Sequence, residues 1–181
     1  MKFSCNQQIL SKALNTVSKA VTIRTTIPIL KGILLKATAD GKLILAASDL
    51  DLSIEKNIDV NVEKEGSVVV LAKLFGDIIR KLPNEEIFFE LQDNGNVMIK
   101  TSQSEFHIIG LPAEEFPNIG EVEDVNNQLS FNKDLFKEMI RKTAFCASID
   151  ESKGVIVGVL MELEERKVNM VALDGFRMAV T

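Results

Sequence analysis

The chain has no tryptophan, no tyrosine and one histidine among its 181 residues, with only two cysteines and four prolines. The absence of Trp and Tyr argues against recognition of single-stranded nucleic acid by base stacking. One histidine and two distant cysteines argue against a zinc site. They also argue against a disulfide framework, so we expect Cys5 and Cys146 to be reduced core residues.

Long hydrophobic runs are also missing. The longest, Val155–Met161, is too short to span a bilayer, and we expect it to form a buried strand. The start, Met1–Asn6, lacks the apolar core of a signal peptide, so the expected compartment is the cytoplasm. Apolar residues make up 46% and charged residues 26% of the chain, which is typical of soluble globular proteins.

No catalytic motif stands out. The glycine-rich phosphate and dinucleotide loops and the G-x-S-x-G nucleophile turn are absent, and no cofactor is expected. His107 lies in an alternating strand pattern and is expected on the surface. Asp49 and Asp51 lie two apart on a predicted strand and would share a face, as a metal-binding or acid–base pair would. A solvated strand face has the same appearance.

What the chain does contain is a repeat. Paired apolar residues, four positions apart, predict one stripe of an amphipathic helix in three places. The pairs are Ile9-Leu10 with Ala13-Leu14, Leu74-Phe75 with Ile78-Ile79, and Leu135-Phe136 with Met139-Ile140. Each helix is followed by a predicted hairpin, with turns at Asp40-Gly41, Asn94-Gly95 and Glu164–Lys167. Asp-Gly and Asn-Gly favour hairpin turns because they tolerate a positive φ.

The spacing of the repeat predicts the domain organisation. Asn6 and Asn132 are 126 residues apart, and Asp49 and Asp174 are 125 apart. The first and third copies carry extra residues between helix and hairpin, roughly 22–31 and 147–156. We therefore expect an α+β fold in which residues 1–120 form a domain of two helix–sheet modules and residues 121–181 form the first half of a second domain. The acidic, proline-containing segment Pro112–Gln128 is the predicted linker.

Charge is distributed unevenly along the chain. The formal net charge is −5, yet on each predicted helix the cations fall on the side away from the apolar stripe. These cations are Lys12, Lys19, Lys73, Arg80, Lys81, Lys137, Arg141 and Lys142. A basic face repeated on an acidic protein predicts binding to a phosphate backbone. The alternative is that these side chains only solvate exposed helices.

Four motifs resemble the bacterial sliding clamp, the β subunit of DNA polymerase III. They are Arg24–Leu30, Ser48–Leu52, Leu111–Pro117 and Asp174–Val180, and the resemblance runs from Met1 to Thr181 over about half of the usual family length. It implies a DNA-clamp fold, a homodimeric ring around double-stranded DNA and a non-catalytic processivity factor of a DNA-directed DNA polymerase. The implied partners are the polymerase III alpha subunit and the clamp loader, which bind through a short apolar peptide. The chain then resembles an N-terminal fragment.

Site residues follow from the resemblance position by position. Arg24 matches a DNA-contacting arginine, Lys73 and Arg80 match cationic positions, and Lys153 lies in the loop that touches DNA in relatives. That loop, Ile149–Val155, is acidic here. The implied peptide pocket consists of Ile156, Leu173, Gly175, Phe176, Arg177 and Met178, with Phe176 where many relatives have histidine. Phe106 and Ile108 match the dimer interface.

Two other classes of function remain open on the residues alone. One is a metal-dependent enzyme that uses Asp49 and Asp51, which a metal-dependence assay would reveal. The other is a generic protein-interaction domain, which would show no salt-dependent affinity for DNA.

Overall fold

The computed structural model describes residues 1–22, 25–119, 129–164 and 167–181. The chain forms two compact units, Met1–Glu121 and Val122–Thr181, which are described separately. Helices of the first unit are α1 (Gln7–Val17) and α2 (Ala72–Lys81). Its strands are β1 (Lys2–Asn6), β2 (Gly32–Ala37), β3 (Lys42–Ser48), β4 (Ser53–Asp59), β5 (Asn61–Lys64), β6 (Gly66–Leu71), β7 (Glu86–Leu91), β8 (Asn96–Lys100) and β9 (Glu105–Leu111).

The first unit consists of two modules whose strands are exchanged. Each module has a strand, a helix and an antiparallel hairpin with a third strand: β1, α1 and β2–β4 in one, β6, α2 and β7–β9 in the other. β1 pairs with β7 of the other module, with Phe3 opposite Phe89. β6 pairs with β2 in return, with Val68 opposite Leu35. The first strand of each module thus extends the sheet of its neighbour.

Both modules contribute to one hydrophobic core. Phe3 stacks on Phe89 with ring centroids 4.7 Å apart, and Phe75 of α2 meets the same ring edge-on at 6.1 Å. The two helices lie beside each other, since the Gln7 side chain donates a hydrogen bond from Nε2 to the carbonyl of Ile79 at 2.6 Å. Burial of the whole cluster therefore depends on both modules being present.

The leading apolar pair of each of these two helices is only half buried. In α1 Leu10 is fully buried while Ile9 is exposed, and in α2 Phe75 is fully buried while Leu74 is exposed. Consecutive helix residues point about 100° apart, so only one of two neighbours can face the middle of the sheet.

The second unit contains one module. It has α3 (Lys133–Thr143), then β10 (Leu160–Glu164), β11 (Lys167–Leu173) and β12 (Met178–Val180) in one antiparallel sheet. Asn132 caps α3 through its side chain, as Asn6 caps α1. The prediction of a buried strand at Val155–Met161 is wrong, because Val155 lies in the 3-10 segment Glu151–Val157 and is 93% exposed. The strand begins at Leu160, and its side chains are exposed.

Both cysteines are buried and unpaired by any disulfide, as predicted. Burial raises the pKa of the Cys5 thiol to about 12, so Cys5 is a weak nucleophile at neutral pH. Within the described ranges, no helix has the length and apolar character needed to cross a bilayer.

Two turns of the same construction close the modules of the two units. In the first, the Asp49 Oδ1 accepts hydrogen bonds from the backbone N–H groups of Asp51 and Leu52 at 3.1 and 2.7 Å. In the second, the Asp174 Oδ1 accepts from Phe176 and Arg177 at 2.9 and 3.0 Å. Asp49 and Asp51 thus lie in the loop between β3 and β4, and the prediction that they share a strand face is wrong. Sequence alone missed the turn because its leucines continue the strand alternation.

The residue after each aspartate has a left-handed backbone. Gly175 has φ 96°, and Leu50, at the equivalent position, has φ 82°. Glycine adopts this conformation freely, whereas a side chain costs roughly 1–2 kcal/mol there. The first turn therefore keeps a strained, exposed leucine where the second uses glycine.

Leu50→Gly should raise the free energy of unfolding by about 0.5–1 kcal/mol. Relief of the left-handed strain exceeds the roughly 0.5–1 kcal/mol that the added chain entropy of glycine costs. Urea denaturation followed by circular dichroism measures the change. Leu52→Gly is the control, because Leu52 is equally an exposed leucine of this turn but has no positive φ, and it should lower stability. An equal loss of unfolding free energy in both variants would contradict the claim that Leu50 is strained.

Candidate functional site

A basic surface covers the outer side of α1 and α2. Lys12, Lys73, Arg80 and Lys81 are exposed on the two helices, and Lys19 is exposed in the 3-10 turn Ser18–Ala20 that follows α1. α1 carries no acid, and α2 carries three cations against one acid. That acid, Asp77, forms an ion pair with Arg80. Because the buried stripes fix the rotation of both helices, the cations can only face away from the core.

The exposed side of α3 is basic as well. Lys137, Arg141 and Lys142 are exposed, and Lys142 pairs with Glu138 at 2.7 Å. The hydrogen bond from Lys142 lowers the pKa of Glu138. Together the three helices carry eight of the 21 Lys and Arg residues but only three of the 26 Asp and Glu residues. The positive charge of the chain is therefore concentrated on its helices.

Two predicted DNA contacts, Arg24 and Lys153, do not lie on the helices. Arg24 lies outside the described residues. Lys153 is bound within the second unit, where its Nζ donates to the carbonyl of Asp174 at 3.1 Å and lies 5.7 Å from the centre of the Phe176 ring. The ammonium group of Lys153 thus joins the Glu151–Val157 segment to the turn that follows β11.

Asp174 holds this turn together. Besides the two backbone N–H groups, its carboxylate accepts a hydrogen bond from Arg177 Nε at 2.9 Å. Hydrogen bonds from the N–H groups of Phe176 and Arg177 are the main cause of a lowered pKa for Asp174. Arg177 also donates to the carbonyl of Phe145 at 3.0 Å, with its guanidinium 5.7 Å from the Phe145 ring centre. The turn leaves Phe176 itself 96% exposed.

The six predicted pocket residues are divided between two cavities. Ile156 and Leu173 line an apolar cavity of about 300 Å³ together with residues of β10 and β11. Phe176 and Arg177 line a neighbouring cavity of about 310 Å³. Gly175, on the turn, and Met178, the first residue of β12, are exposed but line neither cavity. The pocket formed by all six residues therefore stays a prediction.

The structure adds residues that the sequence did not single out. Phe145, Ile149 and Asp174 line the second cavity with Lys153. Asp174 could have been recognised from its match to Asp49, since an aspartate that begins a repeated turn is a candidate for capping the turn's N–H groups. Phe145 and Ile149 lie in irregular segments, and no periodic signal marks them.

The two residues of the predicted dimer interface differ in burial. Ile108 is 7% exposed and belongs to the core of the first unit, so its side chain is not available to a partner. Phe106 is partly exposed on the same strand, and Ile109, which was not predicted, is largely exposed. β9 pairs with β6 only at Gly110 and Leu111, so the described backbone from Glu105 to Ile109 has β8 as its strand partner on one side.

The acidic residues do not form a metal site in the part of the chain that the structure describes. No group of three or more His, Cys, Asp or Glu side chains lies close enough to hold an ion there. The Asp49 carboxylate is already engaged by the backbone of its own turn.

Paired helix-and-hairpin modules with exchanged strands and basic outer helices define a DNA-clamp fold. The sequence profile of the DNA polymerase III beta subunit N-terminal domain matches residues 1–120, and that of its central domain matches residues 130–181. The chain belongs to the DNA polymerase III beta subunit family.

Comparison with individual sliding clamps supports the same family. The chain is 37% identical to the beta sliding clamp of Halalkalibacterium halodurans and 35% identical to that of Bacillus subtilis, in each case over 99% of this chain and 49% of the relative. The crystal structure of the Bacillus subtilis sliding clamp superimposes with a TM-score of 0.93 at 34% identity, over 99% of this chain and 49% of that one. The chain thus spans about half the length of the curated relatives it matches.

The turn around Asp174 should lose stability in acid. Its hydrogen bonds favour the ionised carboxylate, so they stabilise the fold above the usual aspartate pKa of about 4 and are lost as the pH falls through the lowered pKa. The difference in stability between the unmodified chain and Asp174→Asn should therefore be largest at neutral pH and shrink below about pH 4. Urea denaturation at several pH values measures this. A constant difference would contradict the assignment.

Proposed function

We propose that this chain is part of a sliding clamp, a non-catalytic cytoplasmic processivity factor that encircles double-stranded DNA and tethers a replicative DNA polymerase. The observation that carries the proposal is the repeated basic face on the helices of an otherwise acidic chain. Residues 1–120 are the first clamp domain, and residues 121–181 are the first module of the second.

The charge pattern supports binding to duplex DNA without sequence readout. Lysine and arginine on an exposed helix face neutralise phosphates and release counterions, which makes binding weaken with salt. Phosphate contacts of this kind carry no base information, as a protein that moves along DNA requires. The proposed contacts are Lys12, Lys19, Lys73, Arg80, Lys81, Lys137, Arg141 and Lys142.

The turn around Phe176 supports a second role, the capture of a short apolar peptide. Phe176 projects into solvent and lines the cavity of about 310 Å³ together with Phe145 and Ile149. A large exposed aromatic ring on a turn fixed by several hydrogen bonds is suited to a partner rather than to water. The proposed ligands are the peptide motifs of the polymerase III alpha subunit and of the clamp loader.

The exposed edge of β9 supports the third role, closure of a homodimeric ring. Phe106 and Ile109 present apolar area beside backbone groups that are open on one side from Glu105 to Ile109. Such an edge accepts a strand from a partner.

The DNA proposal is tested on this chain by removing three cations. Lys12→Ala, Lys73→Ala and Lys81→Ala together should weaken binding to a short duplex at least about tenfold at low salt. They should also reduce the slope of log affinity against log salt by about 2 to 3, since each phosphate contact contributes about 0.9. Fluorescence anisotropy over a salt series gives both quantities.

A matched control removes equal charge elsewhere. Lys36→Ala, Lys56→Ala and Lys64→Ala change three exposed lysines of the strands in the same unit. This triple variant should keep the salt slope of the unmodified chain. Equal losses in both variants would mean that binding follows net charge alone, and the helix assignment would be wrong.

The peptide proposal is tested separately. Phe176→Ala should weaken binding of a short apolar clamp-binding peptide by about fivefold, or roughly 1 kcal/mol, because the ring supplies contact area beside the cavity. Chemical-shift titration of the chain with the peptide measures the affinity. Phe88→Ala, which removes an exposed ring from β7 of the first unit, is the control and should leave the affinity unchanged. Unaltered binding by the Phe176 variant would place the groove elsewhere.

A further inference from the structure

The helix α2 carries one acid in the middle of its basic side. Asp77 lies four residues after Lys73, three before Arg80 and four before Lys81. Residues three or four apart are neighbours on a helix surface, so all three cations are within reach of this carboxylate. Asp77 accepts a hydrogen bond from Arg80 Nη2, whereas Lys73 and Lys81 form no ion pair with the residues that the structure describes. The acid therefore engages one cation of the three.

The surface of α2 has room for the Arg80 guanidinium. Long side chains on a helix lean toward its N-terminus, and Arg80 accordingly runs back over Gly76, one turn earlier. A Cβ atom added at Gly76 would lie 3.2 Å from Arg80 Nη1 and 3.7 Å from both Cζ and Nη2. The guanidinium thus lies against the helix, with Gly76 beneath it and the Asp77 carboxylate beside it.

The glycine itself needs a reason. In the middle of a helix, glycine is disfavoured relative to alanine because its backbone loses more conformational freedom on folding. Gly76 is nonetheless the fifth of the ten residues of α2, and it is buried. The nearest obstacles to a side chain at this position all belong to the guanidinium of Arg80. Gly76 therefore provides the space, and Asp77 the charge, that keep Arg80 on the helix surface.

We propose that Asp77 is a positioning residue of the DNA-binding surface, which holds Arg80 against α2 and so limits how many phosphates this helix neutralises. The inference rests on the proposed function and gives the cations of α2 unequal roles. Lys73 and Lys81 contact phosphates directly, whereas Arg80 must first leave Asp77. Both partners of the ion pair are 47% exposed, and exposed pairs are weak. A phosphate can therefore displace Asp77, and Arg80 is a conditional contact.

The alternative is that Asp77 only stabilises the helix. An acid gains most from the helix dipole in the first turn, but Asp77 is the sixth of ten residues. A basic helix in this fold also forms without any acid, as α1 does. The arrangement recurs on α3, where Glu138 holds Lys142 four residues later. Engaging one late cation on two helices weakens the grip on phosphates, which suits a protein that must release one phosphate to reach the next.

Asp77→Asn tests the proposal, because it removes the charge and keeps the shape of the side chain. Binding of the chain to a short duplex should tighten at least about threefold at low salt. The slope of log affinity against log salt should become steeper by about 1, since each phosphate contact contributes about 0.9. Fluorescence anisotropy over a salt series gives both quantities.

The matched control is Asp59→Asn, which changes the net charge of the chain by the same amount. Asp59 is exposed on β4 and alternates with Ile58, which packs against the core, so Asp59 lies on the sheet face opposite the helices. The salt slope of this variant should equal that of the unmodified chain. Gly76→Ala leaves the net charge unchanged but crowds the guanidinium, and it should steepen the slope in the same direction as Asp77→Asn.

The nuclear magnetic resonance signal of the Arg80 Nε–H group follows the guanidinium directly. On addition of duplex, this signal should shift little in the unmodified chain and markedly in Asp77→Asn at equal occupancy. An unchanged salt slope in Asp77→Asn would overturn the proposal, as would an equal increase in Asp59→Asn or an Arg80 signal that shifts equally in both proteins. Absence of salt-dependent binding by the unmodified chain would instead refute the proposed function itself, and this inference with it.

Discussion

The structure depends on the exchange of first strands between modules. One helix and one hairpin present an apolar face that they cannot cover by themselves, and a lone hairpin is marginal in water. β1 and β6 solve this by crossing to the neighbouring sheet, which brings α1 and α2 together over one core. The side chains of Leu10, Phe75 and Phe89 are buried as a result, and the rotation of each helix about its axis is fixed.

Fixing the rotation of the helices determines the electrostatics of the surface. The inner stripe must be apolar, the flanks contact neighbours, and only the outer side is free to carry charge. Cations accumulate there, while acids occupy turns and strands, so a chain with a net charge of −5 has a positive helical surface. The proposed binding of duplex DNA would use this separation of charge, because such binding is dominated by contacts with the phosphates.

Sequence predicted the elements better than it predicted their surroundings. All three helices and all three hairpins were found, because apolar spacing and turns such as Asp40-Gly41 are local signals. The burial of a side chain, by contrast, depends on residues that are distant in the sequence. Val155 was predicted in a buried strand, but its apolar run does not reveal the exposed 3-10 segment in which it lies. The hydrogen bond from Arg177 to the carbonyl of Phe145 joins residues far apart in the chain, which no local spacing encodes.

The turns begun by Asp49 and Asp174 have the same backbone arrangement but carry different side chains. One carboxylate oxygen accepts two backbone N–H groups in each turn, so turns of the same shape can carry different exposed side chains. Those positions carry Leu50 and Leu52 in one copy and Phe176 and Arg177 in the other. Because the backbone of the turn is held by the aspartate, the same repeated loop presents two different chemical surfaces in one chain.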